Sequence, residues 1–395
     1  MHRQILAMAA AALPAFAQAQ AVKPPIAQYW MSIETAAGMN MPGMSPAMAG
    51  MMGGQAAGGR RMLLQLGSQR AAPGEPRAAH DIPSGMNMGP QLPLVTPRRE
   101  PTARAERGDR PAGMEKPRGR MLVYWGCGEN VRAGQPVLID FANPGAAASA
   151  MTSRRIAQPA GPAYGRSRTY GDWPNQEDAK AVPDSASLAG AHAVKGNYSP
   201  EIRVSLDRDF LDRVSLSADG NRMRWNAVGR ASGYFATLYG AQGQDEIVFW
   251  SSSEVQEMGG GLMDYLPPAE AARLVREKVL LPPGTTECTV PAEVVKKAGT
   301  PMINFIAYGD EANFAHPPRP QDPKAAWAPE WAVKVRFKST ASLLLGEGAE
   351  GAGARSSAPR READEPARDT SAREKPEAPD PLKEGVNILR GILGR

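Results

Sequence analysis

The chain has 395 residues, a formal net charge of +5, and 41 glycines and 37 prolines gathered into particular stretches. That length allows about two modest domains, but the Gly and Pro content turns much of it into linker rather than core. The charge is too weak to argue nucleic-acid binding, and with only Cys127 and Cys288 a zinc site of the C-x-x-C type is excluded.

His2 and Arg3 precede an apolar run at residues 5–17, interrupted by Pro14 and followed by Ala17-Gln18-Ala19. The run is too short to span a bilayer, and the small-x-small triplet is what signal peptidase reads. Residues 1–19 are therefore expected to be a signal peptide, with a periplasmic or secreted mature protein starting near Gln20. No later run is long enough for a transmembrane helix. Export makes nucleic acid an improbable partner, and an oxidising compartment favours a Cys127–Cys288 disulfide.

Residues 20–60 read as a flexible Met/Gly-rich arm, because 39–59 is Met, Gly, Ala and Pro with no helix or strand period. Residues 61–145 read as a small β-unit with apolar runs at 61–67, 120–126 and 136–141, and a short extended piece at 92–95. The first two runs share Arg-Met-Leu and a Gly four residues later, the pattern of a paired or duplicated strand. Their Pro/Arg-rich connection, with Arg98, Arg104, Arg110 and Arg118, is a solvated linker or a contact for an anionic polymer. Residues 146–196 have a Gly/Ala/Ser/Pro bias and read as a loop-rich linker.

From 197 to 340 the pattern sharpens. Ile202, Val204 and Leu206 alternate with polar residues, an Asp219-Gly220-Asn221 turn follows, and Met223 and Trp225 resume the alternation. Further runs lie at 234–238, 246–250, 288–290, 302–308 and 331–337. Seven short strands separated by turn residues argue a sandwich. A helix at 268–281 interrupts them: Pro268 suits a first turn, and Ala271, Leu274, Val275 and Lys278 share a stripe.

Met223-Arg224-Trp225-Asn226-Ala227-Val228, then Ala231-Ser232-Gly233-Tyr234, resembles the second and third strands of fibronectin type III-like domains. Thr289-Val290-Pro291, and then Ala298-Gly299-Thr300 before an alternating strand, is similar to later strands of that family. The resemblance implies an all-β fold: a fibronectin type III-like sandwich over 197–340 with a helical insertion, a small N-terminal β-unit and long disordered segments. It implies core roles for Trp225 and Tyr234 and no particular activity. The helical insertion, and Met302 in place of a usual aromatic residue, depart from the family. The whole arrangement also resembles exported proteobacterial proteins.

Residues 341–381 read as a disordered charged tail, too hydrophilic to bury anything. Leu382, Val386, Leu389, Ile392 and Leu393 then recur at helical spacing. An amphipathic helix at 382–395, docking on a partner or a membrane surface, is expected.

Signatures of known catalytic chemistry are missing: no Gly-x-Ser-x-Gly, no His-Glu-x-x-His, no phosphate-binding glycine loop. His80, His192 and His316 fall in loop-like segments. Glu254 with Glu257, and Asp207 with Asp209, read as surface charge. Trp173 and Trp327 read as loop tryptophans or a sugar-stacking surface. Met39, Met41, Met44, Met86 and Met88 lie in two Gly-Met-Asn-Met-type stretches, and thioethers suit Cu(I). The leading expectation is an exported, non-enzymatic envelope protein that binds or scaffolds a partner protein or an anionic polymer. Periplasmic Cu(I) handling through the Met-rich arm is the alternative, and an unrecognised hydrolase comes third.

Overall fold

The computed structural model describes residues 23–40, 58–98, 119–150, 155–243, 245–322 and 325–345. The expected signal peptide, most of the basic connection, the charged tail beyond 345 and the C-terminal helix lie outside these residues. No helix among the described residues is long and apolar enough to cross a membrane.

The protein is mostly β-structure. In chain order the first half holds β1 (Ala27–Asn40), β2 (Gly59–Ser68), β3 (Ala78–Asp81), β4 (Gln91–Leu94), β5 (Arg120–Trp125) and β6 (Val137–Asp140). Helix α1 (Pro144–Ala150), β7 (Thr169–Trp173), β8 (Gly190–Gly196) and β9 (Ile202–Leu206) follow. The second half holds β10 (Ser217–Asp219), β11 (Arg222–Arg224), β12 (Gly233–Gln242), β13 (Glu246–Ser251) and α2 (Pro268–Arg276). It closes with β14 (Glu287–Thr289), α3 (Ala292–Ala298), β15 (Met302–His316) and β16 (Trp331–Leu344).

Nine of these strands form one sheet, ordered β6-β5-β13-β12-β15-β16-β1-β2-β7. A three-stranded sheet, β10-β11-β14, and a four-stranded sheet, β4-β3-β8-β9, complete the set. One apolar cluster runs continuously along the large sheet, joining Trp225, Tyr234, Phe305 and Val290 to Tyr29, Leu64, Val194 and Ile202. The opposite face is covered by α2, where Leu274 packs with Phe235, Ile306 and Tyr308. At the β5–β6 side α1 packs Ala147 against Val123, Ile139 and Phe249. A sheet buried on both faces loses the polar side that a simple alternating strand keeps, so even Ser32 is only 3 % exposed.

Several expectations are corrected. Residues 27–40, inside the expected flexible arm, form a central strand. Tyr29, Met31 and Ile33 alternate with Trp30, Ser32 and Glu34, so both sets can be buried when sheet lies on either side. β1 pairs in parallel with β16, Tyr29 opposite Val333 and Ile33 opposite Phe337, and antiparallel with β2. The β-unit expected at 61–145 is not a unit: β2 sits beside β1, β5 and β6 border β13, and β3 with β4 belong to another sheet. The matching Arg-Met-Leu runs thus lie on opposite sides of the large sheet and do not pair. The linker at 146–196 contains β7 and β8, and Ile202–Leu206 pairs with β8. The helix ends at Arg276 rather than 281, because Lys278 turns to φ 59°. The strand expected at 331–337 runs to Leu344.

Cys127 and Cys288 are joined, with Cα atoms 5.3 Å apart, tying the loop after β5 to β14. The neighbouring backbone bond, Gly128 N–H to the Thr289 carbonyl at 2.8 Å, fixes the same junction. Where β1 meets β16 the covered face carries charge. Arg336 lies against the rings of Trp30 and Tyr265, 4.9 and 4.4 Å from their centroids. It also donates to Ser32 Oγ at 2.8 Å. Glu34 accepts from Thr340 Oγ1 at 2.7 Å and faces Lys338 and Arg61 at 3.7 and 3.8 Å. Guanidinium stems bury apolar length while their heads stay paired, so this layer is packed and polar together.

Candidate functional site

The β1-β2-β7 part of the large sheet and the β4-β3-β8-β9 sheet face each other as two walls. On one side the walls are sewn together: Val95, just after β4, and Asp172 of β7 exchange backbone hydrogen bonds of 3.1 and 3.0 Å. On the other side they are not. β12 pairs only with Met302–Tyr308 of β15. After a bulge between Tyr308 and Glu311, the remaining residues 311–316 pair with β16 alone among the described residues. The strand facing this stretch, β9, is itself an outer strand. Arg208, two residues past β9, clamps the two edges at the bulge, donating to the Asp310 carboxylate at 2.7 Å and the Glu311 carbonyl at 3.0 Å.

Beyond that clamp the edges part around a cleft of about 870 Å3. Its walls carry four aromatic side chains, Trp30, Phe314, Trp327 and Trp331, and four cations, Lys23, Arg203, Arg319 and Lys334; none of the described residues lining it is acidic. The connection from β15 to β16 forms one wall. Trp327 donates from Nε1 to the Pro317 carbonyl at 3.0 Å, while Arg319 lies 5.7 Å from its ring centroid. His316 stacks on Trp331 at 5.7 Å. Lys334 is held by Glu311 at 2.5 Å, and the exposed Arg203 meets Glu201 at 2.6 Å. Val204 is half-buried although its strand neighbours Ile202 and Leu206 are fully buried, which is what an open seam does to a core position.

Directly behind β9, two histidines are buried. This corrects the expectation that the histidines occupy loops: His80 and His192 lie on β3 and β8, and His316 is the last residue of β15. His192 Nε2 is 2.7 Å from the Leu188 carbonyl, which can only accept, so Nε2 carries the proton. In the neutral ring Nδ1 must then accept, and it lies 2.9 Å from His80 Nε2. His80 Nδ1 in turn accepts from the Tyr29 hydroxyl at 2.9 Å. With both rings neutral, one tautomer of each satisfies the whole chain. Burial lowers the His80 pKa well below its ordinary value, with His192 adding to it, and burial lowers that of His192 too.

The other residues singled out from sequence lie elsewhere in the fold or outside the described residues. Met86 and Met88 are 0 % and 6 % exposed within the apolar core. Met39 is on β1 opposite Ser342, and Met41 and Met44 lie outside the described residues. Trp173, expected in a loop, is the buried last residue of β7, and only Trp327 of the pair lines the cleft. Glu254 pairs with Arg132 at 2.6 Å, and the buried Glu257 accepts from the Gly259 N–H at 3.2 Å. Asp207 is exposed beside Arg208. Asp209 accepts from Ser187 Oγ and the Leu188 N–H. Burial opposes its ionisation, but those bonds win and hold its pKa below the usual value.

Trp30, Phe314, Trp331 and Lys334 were missed as site residues. Their signal was faint: an apolar strand continuing past Tyr308 into a Pro-rich connection bracketed by aromatic residues. Comparison with protein-family models, with curated protein sequences and with solved structures returns no match to this chain.

Proposed function

We propose that this chain is an exported, non-enzymatic envelope protein that binds an extended anionic ligand in the cleft between β9 and the far end of β15. The observation that carries the reading is the lining itself, four aromatic and four cationic side chains with no acid among the described lining residues, Lys334 and Arg203 being also paired with Glu311 and Glu201 at its margin. Aromatic faces supply large contact area at little entropic cost, and guanidinium and ammonium groups near low-dielectric walls attract anions. A disulfide between the only two cysteines is compatible with export.

The platform for this cleft is a fibronectin type III-like sandwich fused to a second, half-open one. The order β10-β11-β14 opposed to β13-β12-β15-β16 supports that reading. So does the contact of Trp225 with Tyr234 and Phe305, whose ring centroids are 5.7 and 4.7 Å away. Its boundary shifts to 217–344, since Ile202–Leu206 belongs to the other sheet.

Calorimetric titration with polyglutamate and polygalacturonate oligomers, against neutral cello-oligosaccharides, tests the function. At least one polyanion should bind and lose about tenfold in affinity in Trp327→Ala or Arg203→Glu. Failure of both polyanions to bind would sink the reading.

A further inference from the structure

Among the described residues, 311–316 of β15 pair only with β16 and leave a strand edge six residues long, about 20 Å of backbone, open except at the Glu311 carbonyl that Arg208 holds. Unpaired strand edges are templates for another chain, and proteins ordinarily cover, bend or charge them. Here the edge is left open with apolar side chains beside it. Phe314, on the edge strand, packs against the core from a half-buried position, and Val204, in the same state, lines the same cleft. On the opposite face of the same edge Asn313 lies across from Lys334, which Glu311 already holds at 2.5 Å, and Lys23 and Arg319 line the same cleft.

Resting on the cleft reading above, we propose that the ligand is a polypeptide segment of about six residues that adds as a strand to the 311–316 edge and closes the seam. Strand pairing supplies affinity through main-chain hydrogen bonds and specificity through alternate side chains. The register follows from the period of two: one set of side chains falls beside Phe314 and Val204 and must be apolar, the other falls beside Lys334, Lys23 and Arg319 and must be acidic. A polysaccharide could satisfy the cations and stack on the tryptophans, but it has no N–H and C=O ladder to match the edge. The Arg208 clamp at Asp310 and Glu311 marks where the added strand must stop.

The test titrates the full chain with the peptide Ac-Gly-Val-Glu-Val-Asp-Val-Glu-Val-Gly-amide, read by tryptophan fluorescence and by amide hydrogen exchange. Exchange of those 311–316 amides that point away from β16 should slow at least tenfold on binding. Two versions of the peptide carry N-methyl groups on complementary alternate amides, and at least one must lose tenfold or more in affinity. Replacing the acids by lysine, or Arg203→Glu in the exposed rim of the protein, should weaken binding at least fivefold. Both methylated peptides binding like the parent would overturn strand addition. Polygalacturonate binding without peptide binding would leave the cleft reading standing and remove this one, and no binding of either would remove both. Peptide binding that emerges only after deletion of residues 346–395 would make the chain's own tail the occupant and overturn the external partner.

Discussion

His80 Nε2 donates to His192 Nδ1 across 2.9 Å, joining two residues 112 positions apart on neighbouring strands in a fully buried setting. The two rings and the Tyr29 hydroxyl form a single directional chain that ends on the Leu188 carbonyl. Burial favours the neutral form of both rings, and in that form the chain is fully satisfied.

Acid should therefore unfold the protein earlier than its carboxylates would require. Both folded-state pKa values lie below the ordinary value, near 6.5 for an unfolded histidine. The stabilisation is complete above about pH 6.5 and drains as pH falls below it, since the unfolded chain then takes up protons that the folded chain refuses. With two groups the limiting slope is about 2.7 kcal/mol per pH unit. Urea unfolding at pH 7.5, 6.0 and 5.0 measures it. A His80→Gln/His192→Gln variant should be less stable at neutral pH but show a shallower decline. Equal stability of the native protein at pH 7.5 and 5.0 would contradict the buried neutral pair.

Reducing the disulfide, or replacing Cys127 and Cys288 with Ser, should lower stability by up to about 5 kcal/mol on the chain-entropy model, because the bridge closes a long loop. The two sulfurs are separated by 161 positions in sequence. Thermal melts with and without dithiothreitol check this, and a change below about 1 kcal/mol would mean the junction is held by its backbone bonds alone.

Gly309 sits in the bulge that precedes the free edge. A Cβ there would lie 2.8 Å from both Leu211 Cδ1 and the Phe337 carbonyl oxygen. The backbone oxygen has nowhere to go, so Gly309→Ala should cost about 1–3 kcal/mol, as overpacking does. It should also loosen the clamp, since Asp310 next to it receives both Arg208 and Arg230. Chemical denaturation gives the first effect, and faster amide exchange at 311–316 gives the second.

Met86→Leu with Met88→Leu should be nearly silent, each within about 1.5 kcal/mol, because Leu conserves the apolar volume of a core position. Cu(I) competition against a calibrated chelator should not separate this pair variant from the native chain. The same measurement on Met39→Leu, Met41→Leu and Met44→Leu decides whether the methionine-rich stretch itself holds the ion. Lost Cu(I) affinity in the Met86/Met88 variant would show that the core site opens.

Much of the architecture could be read from local order. β16 alternates buried and partly exposed side chains through all of Trp331–Leu344, Pro268 opens a helix where one was expected, and the cysteine pair closes as its count implied. Such features depend on side-chain period and backbone preference within a few residues. β1 shows the limit. Its Tyr29-Met31-Ile33 alternation is plain once seen, yet pairing it in parallel with β16 places Ser32 against Arg336, 304 positions away. Nothing local specifies that partner, which is chosen because only there do both faces of β1 become buried. The cleft is less legible still, because it exists through a difference in reach: β12 stops pairing at Tyr308 while β15 continues to His316. Sequence determined which residues would be strands and which side chains would be apolar. Tertiary structure decided which strand edge has no neighbour among the described residues and which two histidines share a hydrogen bond, because both depend on distances between segments that chain connectivity does not set.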